Sequence, residues 1–223
     1  MPELAPGVVR IPTSKRDNAF LVDGEDGLTL VDVGWASAPR QIAAAIETLG
    51  HALTDIRRVV LTHAHPDHVK GAAELKARTG AKVLLHQADA AWLQSGRVPP
   101  QGRSGAFGRL IDKAPLLHWA PVTPDILLTG GEEIDGLRVI HTPGHTPGHI
   151  ALHHEPSNTL LVGDAIFNRG PELTLGPPAL AADPELRPDG LARLPTDVTS
   201  VGLAHGDPLR GKDLDRYRTL LGQ

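Results

Sequence analysis

Residues 56–80 read IRRVVLTHAHPDHVKGAAELKARTG, where an aliphatic, β-branched run gives way within a few residues of Pro66 to a helical pattern closed by Gly80. Pro66 suits the first turn of a helix, where its missing N–H costs nothing. A strand ending where a helix begins commits this part of the chain to β/α alternation. At the same point stand His63, His65, Asp67 and His68, four side chains competent to bind a metal.

The surrounding sequence extends the pattern. GVVRIP, NAFLVD and LTLVDVG are short aliphatic runs separated by polar and Gly-rich turns, which predicts three antiparallel strands. APRQIAAAIETLG sets Ile42, Ala45, Ile46 and Leu49 at helical spacing between Pro39 and Gly50, the pattern of a helix with both ends marked. DHVKGAAELKARTG reads as one helix, KVLLH as a strand and QADAAWLQ as a short helix. Residues 95–124 are rich in Gly and Pro, with one helical turn around 107–112, and read as an insertion over a face of the domain. A second strand-rich group follows in DILLTG, LRVIHT, HIALHH and TLLVGD. After it come a Pro-rich loop, a short helix near 185–194, the strand VTSVGLA and a polar helix, LDRYRTLLG. Strands followed by helices thus occur twice. The expectation is one domain over 1–223, its two halves packed sheet against sheet with helices outside.

In the extended segment that ends at His65, residues two apart share a face, so His63 and His65 point the same way. Asp67 and His68 open the helix with side chains turned back toward the strand end, and all four groups can converge. Any one of them alone reads as a polar loop or cap residue; the four together point to a metal site. Further candidates lie at predicted strand ends. VIHTPGHTPGHI carries His141, His145 and His149 four apart, but its two Pro-Gly pairs forbid a helix. His145, at the apex of the turns, is the ligand candidate, and His141 and His149 read as structural histidines. LLVGDA puts Asp164 after a buried strand, and VGLAHGD does the same for His205.

Composition narrows the chemistry. The chain has no cysteine, which excludes disulfides, thiolate ligands and a cysteine nucleophile together. Lys+Arg 22 against Asp+Glu 26, mixed along the chain for a net charge of −4, leaves no basic stripe for phosphates and argues against nucleic acid as a partner. The opening MPELAPGVVRIP has neither the basic nor the apolar region of an export signal, and no stretch approaches the ~20 apolar residues of a membrane span. The expectation is a soluble cytoplasmic protein acting on a small molecule, with no membrane partner and no sequence signature of an oligomer.

The pattern His63-x-His65-x-Asp67-His68, followed by TPGH with His145, GD with Asp164 and HG with His205, resembles the metallo-β-lactamase superfamily over residues 20–210. The resemblance implies an α+β fold, a four-layer αββα sandwich of two mixed β-sheets with outer helices and a two-metal site at one edge. It implies that His63, His65 and His145 hold one metal and Asp67, His68 and His205 the other, with Asp164 bridging. Asp32, in LVDVG, resembles the family aspartate that supports the site from behind. Ala204 stands before His205 where Gly is common. Imidazoles and carboxylates without thiolate suit Zn²⁺ and are compatible with Fe or Mn.

Two divalent ions can share a water and lower its pKa toward ~7, so the resemblance implies attack by a metal-bridging hydroxide. Asp67 would orient that water and carry a proton to the leaving group. Trp35, Phe107, Trp119 and Phe167 are candidates for a substrate wall.

Several branches of the family fit less well. Without cysteine, and with Asp164 present, antibiotic hydrolysis is disfavoured. Glyoxalase II is similar in all seven ligands but recognises glutathione with a C-terminal helical domain, whereas 18 residues follow His205 here. Acyl-homoserine lactonases share a motif like HTPGHTPGH but place a tyrosine beside the metals, and the single tyrosine here, Tyr217, lies in the last predicted helix. The expectation is a binuclear metal-dependent hydrolase of a small ester, thioester or lactone. The alternatives are a mononuclear-iron oxidoreductase like the persulfide dioxygenases, a phosphodiesterase or nuclease, and a non-catalytic metal-binding module.

Overall fold

In the computed structural model, which describes residues 3–222, two mixed sheets face one another. Residues 1, 2 and 223 of the expected domain lie outside the described residues. The first sheet takes seven strands in chain order: β1 (Glu3–Ala5), β2 (Val8–Pro12), β3 (Asn18–Gly24), β4 (Gly27–Val31), β5 (Ile56–Leu61), β6 (Lys82–His86) and β7 (Ile126–Leu128). Neighbours are antiparallel from β1 to β4 and parallel from β4 to β7. The second comprises β8 (Glu133–Ile134), β9 (Leu137–His141), β10 (Ile150–His154), β11 (Thr159–Leu161), β12 (Ser200–Gly202) and β13 (Leu209–Arg210), in the order β13-β12-β11-β10-β9-β8. It is antiparallel except for the parallel pair β11–β12. The helices are α1 (Ala38–Thr48), α2 (Pro66–Val69), α3 (Ala72–Thr79), α4 (Ala90–Ser95), α5 (Ala106–Ile111), α6 (Arg187–Leu191) and α7 (Leu214–Leu220).

Strand alternation sorts the apolar side chains into three layers between the four. Val59 and Leu61 of β5, with Val83 and Leu85 of β6, pack outward against Ile42 and Ile46 of α1 and Leu75 of α3. Val60 and Leu84, on the opposite face, meet Leu137, Val139, Ile150 and Leu152 between the sheets. Ala151, Leu160 and Val201 face outward again toward Leu191 of α6 and Leu214 and Tyr217 of α7. Because the side-chain period is two, a one-residue slip of any central strand would exchange its two faces. The αββα sandwich is therefore held in one register. Tyr217 is fully buried and donates to the Pro195 carbonyl at 2.7 Å, a packing residue. No helix among the described residues is long and apolar enough to cross a membrane.

Two expectations are corrected. DILLTG does not open the second group of strands: Ile126–Leu128 is the edge of the first sheet, parallel to β6. Residues 95–124 carry the chain back across the layer so that it re-enters in the same direction, and the Asp125 carboxylate anchors it by accepting from Val83 N–H at 2.7 Å and Lys76 Nζ at 2.6 Å. DHVKGAAELKARTG is two helices, broken between α2 and α3 at Gly71. Gly71 N–H donates to Gly34 O at 3.0 Å, and a Cβ there would stand 2.8 Å from Pro39 and Val33.

Parallel pairing positions the site. The β4–β5 register, with Val31 opposite Val60, delivers Asp32 beside Thr62. The β11–β12 register, with Leu161 opposite Gly202, delivers Asp164 and His205 three residues later on both strands. The sheets are tied at this edge by Ile150 N–H donating to Thr62 O at 2.9 Å and Asn18 N–H donating to Ala204 O at 2.9 Å.

Candidate metal centre

Five imidazoles and two carboxylates converge where these strands end. His63 Nε2 lies 3.1 Å from His65 Nδ1, which lies 2.8 Å from His145 Nε2. Asp164 stands beside this trio with Oδ2 3.2 Å from His145 Nε2, while its Oδ1 is 3.2 Å from His68 Nε2 and 3.1 Å from His205 Nε2. Asp67 Oδ2 completes a second trio at 3.4 Å from His205 Nε2. The ligand atoms of His63, His65 and His145 fall within 4.8 Å of one another, as do those of Asp67, His68 and His205. All seven are buried except Asp67, whose side chain is 25% exposed at the cavity mouth.

Burying so many polar atoms is costly unless each finds a partner. Here His68 Nε2, Asp164 Oδ1 and His205 Nε2 are buried without a hydrogen-bond partner, though they face one another. A divalent cation would satisfy all three, and the lone-pair nitrogens of His63, His65 and His145 form an equally suitable N₃ set. The residues present fit two cations.

The surrounding groups orient three of the five rings. Asp32, held at a φ of +59°, accepts from Thr62 N–H and Thr62 Oγ1–H, both at 2.8 Å, and lies 2.8 Å from His68 Nδ1. Thr62 Oγ1, its proton given to Asp32, is free to accept from His63 Nδ1–H at 3.1 Å. Asp17 Oδ1 lies 2.9 Å from His205 Nδ1. In these three rings Nδ1 is engaged from behind, and Nε2 is the nitrogen turned to the cluster.

Electrostatics divides the rings. Burial, followed by the neighbouring imidazoles, holds His63 well below the ordinary imidazole value, and burial with the Arg103 guanidinium does so for His65. Burial also opposes the charging of His68, but Asp164 and Asp32 on either side outweigh it and raise that ring well above the usual value. His205 is pushed up to about 12, burial being outweighed by Asp164, Asp17 and Asp67. Burial works against ionisation of Asp164 too, yet His205, His68 and His145 hold it well below the usual carboxylate range.

His149 supports the site from behind: its Nε2 accepts from Asp164 N–H at 3.0 Å, Nδ1 meets Thr142 Oγ1 at 2.8 Å, and burial keeps it neutral, at about 3. His141 donates to Pro147 O at 2.9 Å and stacks on His86. Gly163, before Asp164, has a φ of +52°, and a Cβ there would stand 2.8 Å from His149 Nε2.

Sequence reasoning missed Asp17, Asp89 and the arginines of the cavity. Asp89, fully buried at the start of α4, accepts from Ala64 N–H at 3.0 Å, Thr146 Oγ1 at 2.6 Å and Gly148 N–H at 2.7 Å. One carboxylate thereby ties the His63–His65 loop to the His145 loop. Beside the cluster opens a cavity of about 140 Å³ whose lining includes Phe167, Arg103, Arg169, Leu180 and Arg187. Of the four aromatic residues expected to wall it, Phe167 does, stacked on His205 at 5.0 Å. The other three are elsewhere. Trp35 donates to Asp17 Oδ2 at 3.0 Å, Trp119 is buried in the outer core with its Nε1 on Leu93 O, and Phe107 is 69% exposed on α5. The reason is that residues 175–180, more than the 95–124 segment, roof the cavity; from the latter only Arg103 reaches it.

Residues 16–203 match the family model described as the metallo-beta-lactamase superfamily. The chain is 36% identical over 165 residues to a hydroxyacylglutathione hydrolase of Cereibacter sphaeroides, covering 73% of this chain and 53% of that one. It is 35% identical over 159 residues to the Bacillus subtilis protein YobT, covering 69% and 63%. The matched region thus spans less than two thirds of either relative's length. Among solved structures, a metallo-beta-lactamase family protein from Thermus thermophilus superposes with a TM-score of 0.72 at 26% identity, covering 98% of this chain and 79% of that one. A Cronobacter sakazakii metallo-beta-lactamase with a HARLDQ motif gives 0.70 at 27%, covering 92% and 77%.

Proposed function

The chain belongs to the metallo-beta-lactamase superfamily, and from that premise we propose that it is a metal-dependent hydrolase of a small ester, thioester or lactone. In this reading His63, His65 and His145 hold one divalent ion, Asp67, His68 and His205 the other, and Asp164 serves both, with Zn²⁺ the best match to the donors. The observation that carries it is the split of Asp164, one carboxylate oxygen beside each trio. Likeness to hydroxyacylglutathione hydrolases favours a thioester within this class.

Ions bound there supply an acidified water near neutral pH and an electrophile for the substrate's acyl oxygen. The chain's own groups do the rest. Asp67, the ligand open to the cavity, holds the water's proton at its carboxylate and returns it to the departing oxygen or sulfur. Asp32 and Asp17 keep the rings aligned, and Phe167 shields the site on the His205 side.

Elemental analysis of protein purified without chelator should give about two divalent ions per chain by this ligand count, and a panel of thioesters, esters and lactones should show turnover that chelation abolishes. At full metal loading Asp67→Asn should lower kcat by about 10²–10⁴-fold. Two bound ions with no turnover across the panel would overturn the reading.

A further inference from the structure

Two arginines, Arg187 and Arg169, face the cavity without a direct ion pair among the described residues. Arg187 is 8% exposed, and its guanidinium donates to the carbonyls of Leu175, Gly176 and Pro177 at 2.7, 3.0 and 3.0 Å, which are neutral acceptors. Its Nε is buried with no partner at all. Arg169 lies over Phe167 at 5.4 Å, with a terminal nitrogen 2.9 Å from His205 Nδ1, the atom that Asp17 already faces. Among the described residues no carboxylate forms an ion pair with either arginine. Arg103, by contrast, is matched by Asp112 at 2.8 Å. Asp164, which shares the cavity with both, already faces three imidazoles.

Arg187 is a buried cation with no counter-ion, which is costly and is retained where something else supplies the charge; Arg169 is exposed and stands at the same cavity. A guanidinium fork matches a planar or tetrahedral oxyanion with two parallel donors. We propose that the substrate carries an oxyanion, a carboxylate or phosphate remote from the scissile bond, and that Arg187 and Arg169 seat it beside the His/Asp cluster. The proposal rests on the hydrolase reading for the scissile bond. The anion seat itself stands on the arginines.

Two measurements on metal-loaded protein test it. In the first, p-nitrophenyl acetate is compared with mono-p-nitrophenyl glutarate. The wild type should prefer the anionic ester, and Arg169→Gln and Arg187→Gln should each raise its KM by about 10–100-fold, the range of a charge-assisted bond, while the neutral ester changes little. An equal loss on both esters marks a structural role for Arg187 and overturns its part; Arg169, exposed, keeps the test open if Arg187→Gln does not fold. In the second, calorimetric titration with glutarate and with inorganic phosphate needs no turnover, so it decides the anion seat even if every ester is inert and the hydrolase reading falls. Tighter glutarate identifies a carboxylate and tighter phosphate a phosphoryl group, provided the affinity falls in both variants. Undiminished affinity in the variants places the anion on the metals and overturns the proposal, as does no binding by the wild type.

Discussion

The carboxylate of Asp17 lies 2.9 Å from Nδ1 of His205, joining the loop before β3 to the loop after β12. That contact leaves Nε2 of His205 facing Asp67 and Asp164, so an aspartate far away in sequence sets the direction of a candidate ligand. Asp17→Asn keeps the shape but offers the ring a weaker, neutral acceptor. If the two trios each hold an ion, as proposed, it should weaken binding at the Asp67–His68–His205 trio by about 10–100-fold, leaving the His63–His65–His145 trio loaded, as read by titration with a chromophoric chelator. Equal loss of both ions would show that Asp17 holds the loop rather than the ring.

Asp89 should matter to stability more than to chemistry. Removing its carboxylate leaves Ala64 N–H, Thr146 Oγ1 and Gly148 N–H buried without an acceptor. Asp89→Ala should cost about 2–4 kcal/mol in urea unfolding, more than one ordinary hydrogen bond because several donors are stranded at once. A change below about 0.5 kcal/mol, the scale of a surface substitution, would mean that the two loops do not depend on this clamp.

Phe167 and Phe107 should separate cleanly. Phe167 stacks on His205 and lines the cavity, whereas Phe107 is exposed on α5. Phe167→Ala should reduce kcat/KM by roughly ten-fold or more, the scale of losing one buried aromatic contact of ~1.4 kcal/mol. Phe107→Ala should leave the rate essentially unchanged. A larger effect at Phe107 would return the substrate wall to the 95–124 segment.

Away from the site, Glu132 closes the turn between β7 and β8 by accepting from Thr129 N–H and Oγ1, both at 2.7 Å, and from Gly130 N–H at 2.8 Å. Burial acts to raise its pKa, but these donors prevail and hold it at about 2, against 4.5 for a free glutamate. A carboxylate depressed in the folded state adds stability above its unfolded value and loses it as pH falls toward its folded one. The stability gap between the wild type and Glu132→Gln should therefore shrink as pH drops from 4.5 toward 2, measured by thermal melts. A gap independent of pH would show the turn to be held by its backbone alone.

Much of the site is legible in the sequence because its chemistry is local. Strand alternation puts His63 and His65 on one side, Pro66 starts a helix that turns Asp67 and His68 back, and the Pro-Gly pairs around His145 rule out a regular element. Asp164 and His205 are legible as polar residues closing aliphatic runs. Asp17 and Asp89 are not, since each looks like any aspartate in a turn or at a helix start. DILLTG is misleading for a related reason: its apolar pattern says strand but cannot say which sheet edge it joins.

The sequence alone determined the layer type, the order of most elements and the gathering of metal-competent residues, since backbone stereochemistry and side-chain periodicity act over a few neighbouring residues. Only the tertiary structure decided which nitrogen His63, His68 and His205 turn to the cluster, which carboxylates stand behind those rings, and that two loop arginines and one from the start of α6, with one aromatic ring, line the cavity. Those features arise where segments remote in sequence are brought together by parallel strand register and loop packing. No local pattern of residues encodes such a meeting.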